Sequence, residues 1–454
     1  MTIELLSDKG VRQAYEADAS GLRMLPEFVA RPDSIEEVAE VMRRARTDRI
    51  PVTCAGAQSS TTAASITDKG ILLSMRGLDQ ISEVDAGERT IRAGPGAFVA
   101  DVKRKAAAAG LLFAPDPTSE EESTIGGAIA CNASGARTFK YGATRKYVQS
   151  LTVLMASGEV KEFRRSNLEK NTVGYAFAHD PIDWFIGSEG TLGIVVDAEL
   201  SLLPLPAEVI GLAVFFAREE DALEFVVTAR ENRFLSPRCI EYFDELALAI
   251  ARESPTGSAL PAEAKGMIYV EEEIVDDVDT TMIRWAETIG ESSDIEPLVF
   301  QGDAKLRDAR RFRHSVPATM NERGGRHRDA GGRKVSTDWA VPYRRLADAI
   351  AIARRLVREA GIAQPVIYGH AGNGHPHQNF IARDSTELAT IERVVEQTLQ
   401  QVLALGGTVA AEHGIGKIKR RWLPLQMNSL QIAMMSVVKK ELDPLQLLAP
   451  GNIL

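Results

Sequence analysis

The chain has 454 residues, 44% of them hydrophobic and 26% charged, a composition typical of a globular enzyme with about two or three domains. A net charge of -10 argues against nucleic-acid binding, which needs a dominant basic face. Three cysteines lie far apart and outside any CxxC motif, no apolar run approaches ~20 residues, and the start has no export pattern. These features predict a cytoplasmic protein without a transmembrane segment.

The N-terminal part alternates predicted helices with short predicted strands. Ser34, followed by Glu36 and Glu37, has the pattern of a helix N-cap, and Gly110 has the position of a C-terminal cap for a helix over residues 97–109. The predicted strands are residues 50–53, 71–75, 90–93 and 194–196. No internal repeat or low-complexity tail is found in the chain.

Three segments of this part are rich in small residues, namely residues 55–62, 115–142 and 187–193. They offer little apolar surface for core packing, so we predict loops whose backbone N–H groups approach a ligand closely. One such loop would be a weak signal, but three together indicate a single extended, phosphate-bearing cofactor. No GxGxxG motif follows the first strand and no Walker lysine pattern occurs, which argues against a Rossmann nucleotide site and a P-loop.

Pro204 and Pro206 mark a predicted domain boundary. Beyond it, strands alternate with helices, which predicts an α+β domain with helices packed on a sheet. The predicted strands there are residues 209–216 and 266–270, and the predicted helices are residues 219–231, 278–287, 343–360 and 397–405. The basic, glycine-interrupted segment 307–334 is predicted to be a loop, either solvated or facing a substrate.

Four of the seven histidines lie in the stretch from His370 to His413. Extended apolar flanks around a Gly-Asn-Gly turn predict two strands that aim His370 and His377 at one point, whereas His375 lies nearer the turn and could point elsewhere. A further strand is predicted to carry Glu412 and His413. Neighbours on a strand face opposite ways, but the glycines that follow would let both side chains serve one site.

Neutral imidazoles and one carboxylate suit a divalent ion such as zinc or manganese, with one residue left for acid–base work. The competing interpretation is an ordinary hydrogen-bonded histidine network, but the density of histidines favours a metal or catalytic site. Arg313 and Lys334 lie on either side of the glycines of the basic segment. They are either solvated surface charges or cations for a substrate carboxylate, a role to which the arginine fork is suited.

Several motifs, spread over most of the chain, occur in a fixed order. They are Pro51-Val52-Thr53, Thr124-Ile125-Gly126-Gly127, Asn132-Ala133-Ser134-Gly135, residues 187–193, Gly369-His370-Ala371-Gly372, Glu412-His413-Gly414-Ile415-Gly416, Leu442-Asp443-Pro444 and Pro450-Gly451. On these motifs the chain resembles the FAD-linked 2-hydroxy-acid dehydrogenases of the vanillyl-alcohol-oxidase-type flavoprotein superfamily. That family includes D-lactate dehydrogenases, D-2-hydroxyglutarate dehydrogenases and the flavin subunit of glycolate oxidase.

The resemblance implies an α+β fold with a two-part PCMH-type FAD-binding domain. It also implies an α+β cap domain with an antiparallel sheet, and a C-terminal helical segment that returns to the flavin. The implied bounds are residues 1–206 for the FAD-binding domain, 207–417 for the cap or substrate domain and 418–454 for the C-terminal segment.

The resemblance also assigns site residues. The implied FAD contacts are Gly56, Gln58, Ser59, Gly126, Gly127, Asn132, Gly135, Tyr141, Gly142, Thr144, Glu189, Gly190 and Ile194. The implied metal ligands are His370, His377 and Glu412, with His413 as base and Arg313 and Lys334 as substrate contacts. No histidine lies in the first small-residue loop, so a histidyl-linked flavin is excluded there and the FAD is predicted to be non-covalent.

The chain departs from the usual histidine motif of this family at Asn373, His375 and Pro376, and it has Ala449 where an asparagine is usual. Pro317 stands where hydroxyglutarate-type members tend to have threonine, which weakens the case for a substrate with two carboxylates.

The resulting hypothesis is an FAD-dependent dehydrogenase that oxidises a D-2-hydroxy acid to the 2-oxo acid. Three alternatives stay open: a same-fold flavoenzyme acting on a different alcohol or without redox chemistry, a non-catalytic flavin or scaffold subunit of a glycolate-oxidase-like complex, and a metal hydrolase without flavin. The electron acceptor is not identified by the sequence. A homodimer is allowed but not required by it.

Overall fold

The computed structural model describes residues 3–254, 257, 259–290 and 292–454. The chain divides into two compact units. The first unit is Met1–Gly135, Gly142–Leu205 and Glu412–Leu454, and the second is Ala136–Tyr141 and Pro206–Ala411. The domain bounds implied after residues 206 and 417 stay predictions about domain organisation.

Up to Leu205 the chain forms short strands and helices. In chain order they are α1 (Lys9–Gln13), β1 (Phe28–Ala30), α2 (Ile35–Asp48), β2 (Val52–Ala55), β3 (Ile71–Ser74), β4 (Thr90–Ala93), α3 (Val99–Ala108), β5 (Leu111–Leu112), α4 (Ile125–Cys131), α5 (Thr138–Tyr141), β6 (Val148–Leu154), β7 (Val160–Arg164), β8 (Ile194–Ser201) and β9 (Leu203–Pro204). All of them belong to the first unit except α5, which belongs to the second.

Two main sheets form the first unit. The strands β1, β3 and β2 pair in parallel, in that order, whereas β4, β8, β6 and β7 form an antiparallel sheet. Helix α2 begins at the predicted N-cap, where the Ser34 hydroxyl accepts the N–H of Glu37 at 3.4 Å. Its buried face, which includes Val38 and Met42, packs into one core with residues of β2 and β3.

The prediction of a continuous loop over residues 115–142 was wrong, because this stretch contains the helices α4 and α5. Helix α4 is capped by Thr124, whose hydroxyl accepts the N–H of Gly127 at 3.3 Å. Ile125, Ala128 and Ile129 form its buried face. The cap and the spacing of these three residues favour a helix, although its two glycines lower the helix propensity of the segment.

The second unit is built on one large sheet. Its elements after α5 are β10 (Val209–Phe216), α6 (Glu219–Glu231), β11 (Pro237–Asp244), α7 (Glu245–Arg252), β12 (Gly266–Glu273), α8 (Val278–Gly290), β13 (Leu298–Gln301), α9 (Asp303–Gly325), β14 (Gly331–Ser336), α10 (Leu346–Glu359), β15 (Val366–His370), β16 (His375–Asp384) and α11 (Ser385–Ala404). The strand order is β13-β10-β12-β11-β15-β16-β14, and every pairing is antiparallel. The α+β fold with an antiparallel cap-domain sheet is thus confirmed.

The basic segment 307–334 is not the predicted loop. Most of it lies in α9, and the rest leads into β14. Ala309, Phe312, Val316 and Met320 are buried at spacings of three and four residues, which is the period of an amphipathic helix. The many arginines and the proline at position 317 obscured this apolar stripe in the sequence.

The chain returns to the first unit through Glu412–Gly416, α12 (Leu423–Gln426) and α13 (Ser429–Leu442). The strand predicted to carry Glu412 and His413 is absent from this described segment. Gly414 and Gly416 adopt left-handed conformations, with φ of 76° and 51°, which interrupt any extended run. Among the described residues, no helix has both the length and the apolar character needed to cross a membrane.

Candidate active site

Within the first unit, residues 55–62, residues 187–193 and the part of 115–142 up to Gly135 adjoin one another. A Cβ atom at Gly56 would lie 2.3 Å from the Thr124 hydroxyl, so residue 56 has no room for a side chain against the start of α4. The N–H groups of Gly187 and Glu189 each donate to carbonyls at the end of α4, those of Ile129 and Ala130, at 2.9 Å. This convergence of distant segments fits the prediction that they bind one extended cofactor.

Several predicted FAD residues have well-defined contacts in this unit. The Asn132 side-chain oxygen accepts the N–H of Arg145 at 2.9 Å, and the Thr144 hydroxyl donates to the Ala133 carbonyl at 2.7 Å. The Gln58 amide donates to the Tyr15 carbonyl at 2.9 Å. The remaining predicted residues of this unit are Ser59, Gly126, Gly127, Gly135, Gly142, Gly190 and Ile194, whereas Tyr141 belongs to the second unit.

Glu189 holds the segment that follows His413. Its buried carboxylate accepts the N–H of Ile415 at 2.6 Å and that of Gly416 at 2.8 Å. Burial raises the pKa of Glu189, and these two N–H groups work against that rise. A side chain predicted to lie near the flavin therefore has a second task, which is to fix the backbone beside the predicted base.

Lys417 and Asn452 extend this network, and neither was predicted as a site residue from the sequence. The Lys417 ammonium donates to the Ala63 carbonyl at 3.1 Å and to the Asn452 side-chain oxygen at 2.7 Å. Asn452 in turn donates to the carbonyls of Ala64, at 2.9 Å, and Glu189, at 3.3 Å. The C-terminal segment is thereby tied to the residues that directly follow the first small-residue segment and to the third segment.

Glu412 and His413 form a contact within the first unit. The Nε2 atom of His413 lies 3.4 Å from Oε1 of Glu412. The His413 side chain is 26% exposed, whereas that of Glu412 is 9% exposed. The His413 side chain is therefore partly exposed beside a largely buried carboxylate.

The histidines of the second unit share one face of the sheet. His370 pairs across β15 and β16 with His375, and His377 follows two residues later, so the three side chains point the same way. Each ring offers a nitrogen that lies within 4.8 Å of those of the other two. The suggestion that His375 points elsewhere was wrong, because the register places it opposite His370 and on the same face as His377.

The two predicted ligands are oriented alike. Nδ1 of His370 lies 2.7 Å from Oε1 of Glu241, and Nδ1 of His377 lies 3.2 Å from the Thr337 carbonyl. Both oxygens are acceptors, so each Nδ1 carries the proton and each Nε2 presents its lone pair. Histidines that bind metals are typically held in this way. His375 differs, since its Nε2 lies 3.2 Å from Oδ1 of Asp338.

Glu241 links the histidines to a predicted substrate contact. The Arg313 guanidinium lies 3.4 Å from Oε2 of this carboxylate. Burial would raise the pKa of Glu241, but its interactions with His370 and Arg313 outweigh burial, so the pKa is lowered. Glu241 was missed in the sequence, although an acidic residue between the apolar Ile240 and Tyr242 was a usable signal.

Lys334, the other predicted substrate contact, lies on β14. Its ammonium donates to the side-chain oxygen of Asn321 at 2.8 Å. Burial lowers the pKa of Lys334 to about 8, so the amine loses its charge much more readily than an ordinary lysine.

Comparison with known proteins places the chain in a family. Residues 26–164 match the FAD binding domain, and residues 205–453 match the C-terminal domain of the FAD linked oxidases. Glycolate oxidase subunit GlcD of Bacillus subtilis is 28% identical over 97% of this chain and 92% of its own length. D-lactate dehydrogenase of Archaeoglobus fulgidus is 29% identical over 94% and 90%. D-2-hydroxyglutarate dehydrogenase of Xanthomonas citri pv. viticola is 30% identical over 94% and 89%.

Solved structures share the fold of this chain. An alkyldihydroxyacetonephosphate synthase superposes with a TM-score of 0.73 at 17% identity, covering 99% of this chain and 82% of that chain. The two matched domains together span most of the sequence, and both support FAD as the cofactor. The chain therefore belongs to the FAD-linked oxidases and is an FAD-dependent oxidoreductase.

Proposed function

We propose that this enzyme oxidises a D-2-hydroxy acid, of the lactate, glycolate or 2-hydroxyglutarate type, to the corresponding 2-oxo acid. Relatives named for glycolate, D-lactate and D-2-hydroxyglutarate support this substrate class. Bound FAD supplies the acceptor for the two electrons that leave the substrate. The small-residue segments of the first unit, including Gly56 and Asn132, would hold it without a covalent link.

The observation that carries this proposal is the common orientation of His370 and His377. Both rings donate from Nδ1 and present Nε2 on one sheet face, and these are two of the donors that a divalent metal would need. We propose Glu412 as the third ligand, on the strength of its position in the motif. Zinc or manganese held by these residues would supply a positive charge that favours the alkoxide form of a substrate hydroxyl.

The remaining predicted residues receive roles that match their chemistry. His413 takes the proton of the substrate hydroxyl, for which its partly exposed imidazole is suited. Arg313 and Lys334 hold the substrate carboxylate, since both are cations in the second unit. Glu241 keeps the ring of His370 and the guanidinium of Arg313 in place at the same time.

Anaerobic bleaching of the flavin tests this function. We expect D-2-hydroxy acids to reduce the purified holoenzyme and their L enantiomers to leave it oxidised. Treatment with a chelator should stop reduction without releasing FAD, and adding back zinc or manganese should restore it. An enzyme that is reduced by other alcohols but by no 2-hydroxy acid would contradict the proposal.

A further inference from the structure

The turn that joins β15 to β16 lies between the histidines of the candidate site. His370 ends β15, His375 begins β16, and residues 371–374 form the turn. The N–H of Gly374 donates to the Ala371 carbonyl at 2.8 Å, which closes the turn on itself. A shift of these four residues would therefore change the spacing of the two rings that flank them.

This turn packs tightly against two other parts of the second unit. A Cβ atom at Gly372 would lie 2.8 Å from the ring of Phe139 on α5 and 3.1 Å from Cβ of Ile240 on β11. A Cβ atom at Gly374 would overlap the Val341 carbonyl, and the Val341 N–H donates to the Gly374 carbonyl at 3.0 Å. The turn is thus held on two sides, and neither glycine has room for a side chain.

Arg230, in the last turn of α6, contacts the middle of the hairpin turn. Its guanidinium donates to the Gly372 carbonyl. The central carbon of the same group, Cζ, lies 3.9 Å from the centre of the Tyr343 ring and 5.2 Å from that of Phe139. A cation over the face of an aromatic ring is attracted to it, so the two rings hold the guanidinium in the position from which it donates.

Tyr343 is itself attached to α6. Its hydroxyl donates to Oε1 of Glu231, the residue after Arg230, at 2.8 Å. Tyr343 follows Val341 by two residues in the chain. One short segment therefore contacts the hairpin turn twice, directly through Val341 and indirectly through Arg230.

The contacts of Arg230 differ from those of most half-buried arginines, which pair with a carboxylate. Burial lowers the pKa of its guanidinium, although Tyr343 and Glu231 act in the opposite direction. Arg230 forms no salt bridge within the described part of the chain, where Glu231 instead pairs with Arg344 at 2.5 Å. The contacts of this guanidinium therefore serve the hairpin turn rather than an ion pair.

We propose that Arg230 is a positioning residue of the metal site, which fixes the hairpin turn and, through it, the spacing of the His370 and His377 nitrogens. This inference rests on the proposed function, since it takes these two histidines as metal ligands. A planar guanidinium can stack on an aromatic ring while its N–H groups donate within its own plane. A lysine ammonium has no such plane, so the role requires arginine at this position.

The test uses the FAD-loaded enzyme after removal of bound metal, with zinc as the probe. We expect Arg230→Ala to weaken zinc binding by about 10-fold, measured by competition with a chelating dye, and Arg230→Lys to recover little of this loss. Guanidinium chloride at low concentration should restore binding in Arg230→Ala, whereas sodium chloride at the same concentration should not. Arg233→Ala is the matched control and should bind zinc as the wild type does, because this exposed arginine stacks on Phe234, with 4.9 Å from its Cζ to the ring centre.

A second measurement follows the hairpin turn itself and needs no metal. Hydrogen–deuterium exchange in the peptide that contains residues 371–374 should be about 10-fold faster in Arg230→Ala, because the turn loses its charged donor. Exchange in peptides of the first unit should not change.

The two measurements separate this inference from the proposed function. If the wild type binds no zinc, only the proposed metal site fails, and faster exchange at the turn still supports the positioning role of Arg230. Unchanged exchange at the turn, or wild-type zinc affinity in either Arg230 variant, overturns that role.

Discussion

The two units hold their candidate site residues in different ways. In the second unit, His370, His375 and His377 lie on paired strands, so the sheet register alone sets their common direction. In the first unit, residues 412–416 lie in neither a helix nor a strand, and the backbone N–H groups of Ile415 and Gly416 are held by the buried carboxylate of Glu189. A site carried by strands depends on register, whereas a site carried by a loop depends on a few individual hydrogen bonds.

The largest expected effect concerns the loop-borne residue His413. Replacing it with alanine should slow flavin reduction by about 10²- to 10⁴-fold, because the substrate proton loses its acceptor. The contents of FAD and metal should stay at wild-type levels, and added imidazole should restore part of the rate. Stopped-flow reduction under anaerobic conditions measures this, and a wild-type rate in His413→Ala would remove the residue from the mechanism.

The strand-borne ligands should instead be sensitive to their supporting acid. Glu241→Gln should weaken metal binding by about 10- to 100-fold, since the amide holds the Nδ1 proton of His370 less well than a carboxylate does. Asp338→Asn is the matched change beside His375, and it should have a smaller effect because His375 is not a proposed ligand. The metal content of the two variants, measured after dialysis against buffers of increasing chelator concentration, compares these effects. Equal losses would assign His375 to the ligand set.

Removing the Glu189 side chain should destabilise the loop at residues 412–416 more than removing only its charge. Glu189→Ala leaves the N–H groups of Ile415 and Gly416 without their acceptor, at a cost of about 1–3 kcal/mol. Glu189→Gln keeps one accepting oxygen and should cost much less. We expect the thermal midpoint of the alanine variant to fall by about 2–4 °C for each kcal/mol. Identical midpoints for both variants would show that these bonds do not stabilise the loop.

The smallest effect is a pH dependence of substrate binding. The Lys334 ammonium is present below its pKa of about 8 and is lost as the pH rises through that value. The KM for a 2-hydroxy acid should therefore rise by a few-fold between pH 7 and 9. Lys334→Arg stays charged over this range and should flatten the profile. Steady-state kinetics at fixed ionic strength compare the two, and parallel profiles would exclude a contact between Lys334 and the carboxylate.

The strand-borne part of the site was the more predictable from sequence. Apolar flanks and a glycine-rich turn predict the hairpin that brings His370 and His377 together. Its register pairs His370 with His375, and the period of two residues then puts His377 on the same side. Helix α6 and strand β10 coincide with their predictions for the same reason, since each has a clear local pattern.

The loop-borne part could not be predicted in the same way. The conformation of residues 412–416 is set by Glu189, a residue more than two hundred positions earlier in the chain. Helix α9 was missed because its charges conceal a narrow apolar stripe. Lys417 and Asn452 were missed because only the folded chain brings them together. Local patterns contain none of these long-range contacts.

The pairing of β15 with β16 has a consequence for how this protein can vary. Side chains alternate along a strand, so removing one residue from the turn at 371–374 would shift the hairpin by one step. Pro376 and Gln378 would then occupy the face that His375 and His377 occupy now. Most surface turns tolerate insertions and deletions, but a change of one residue in the turn at 371–374 should abolish activity.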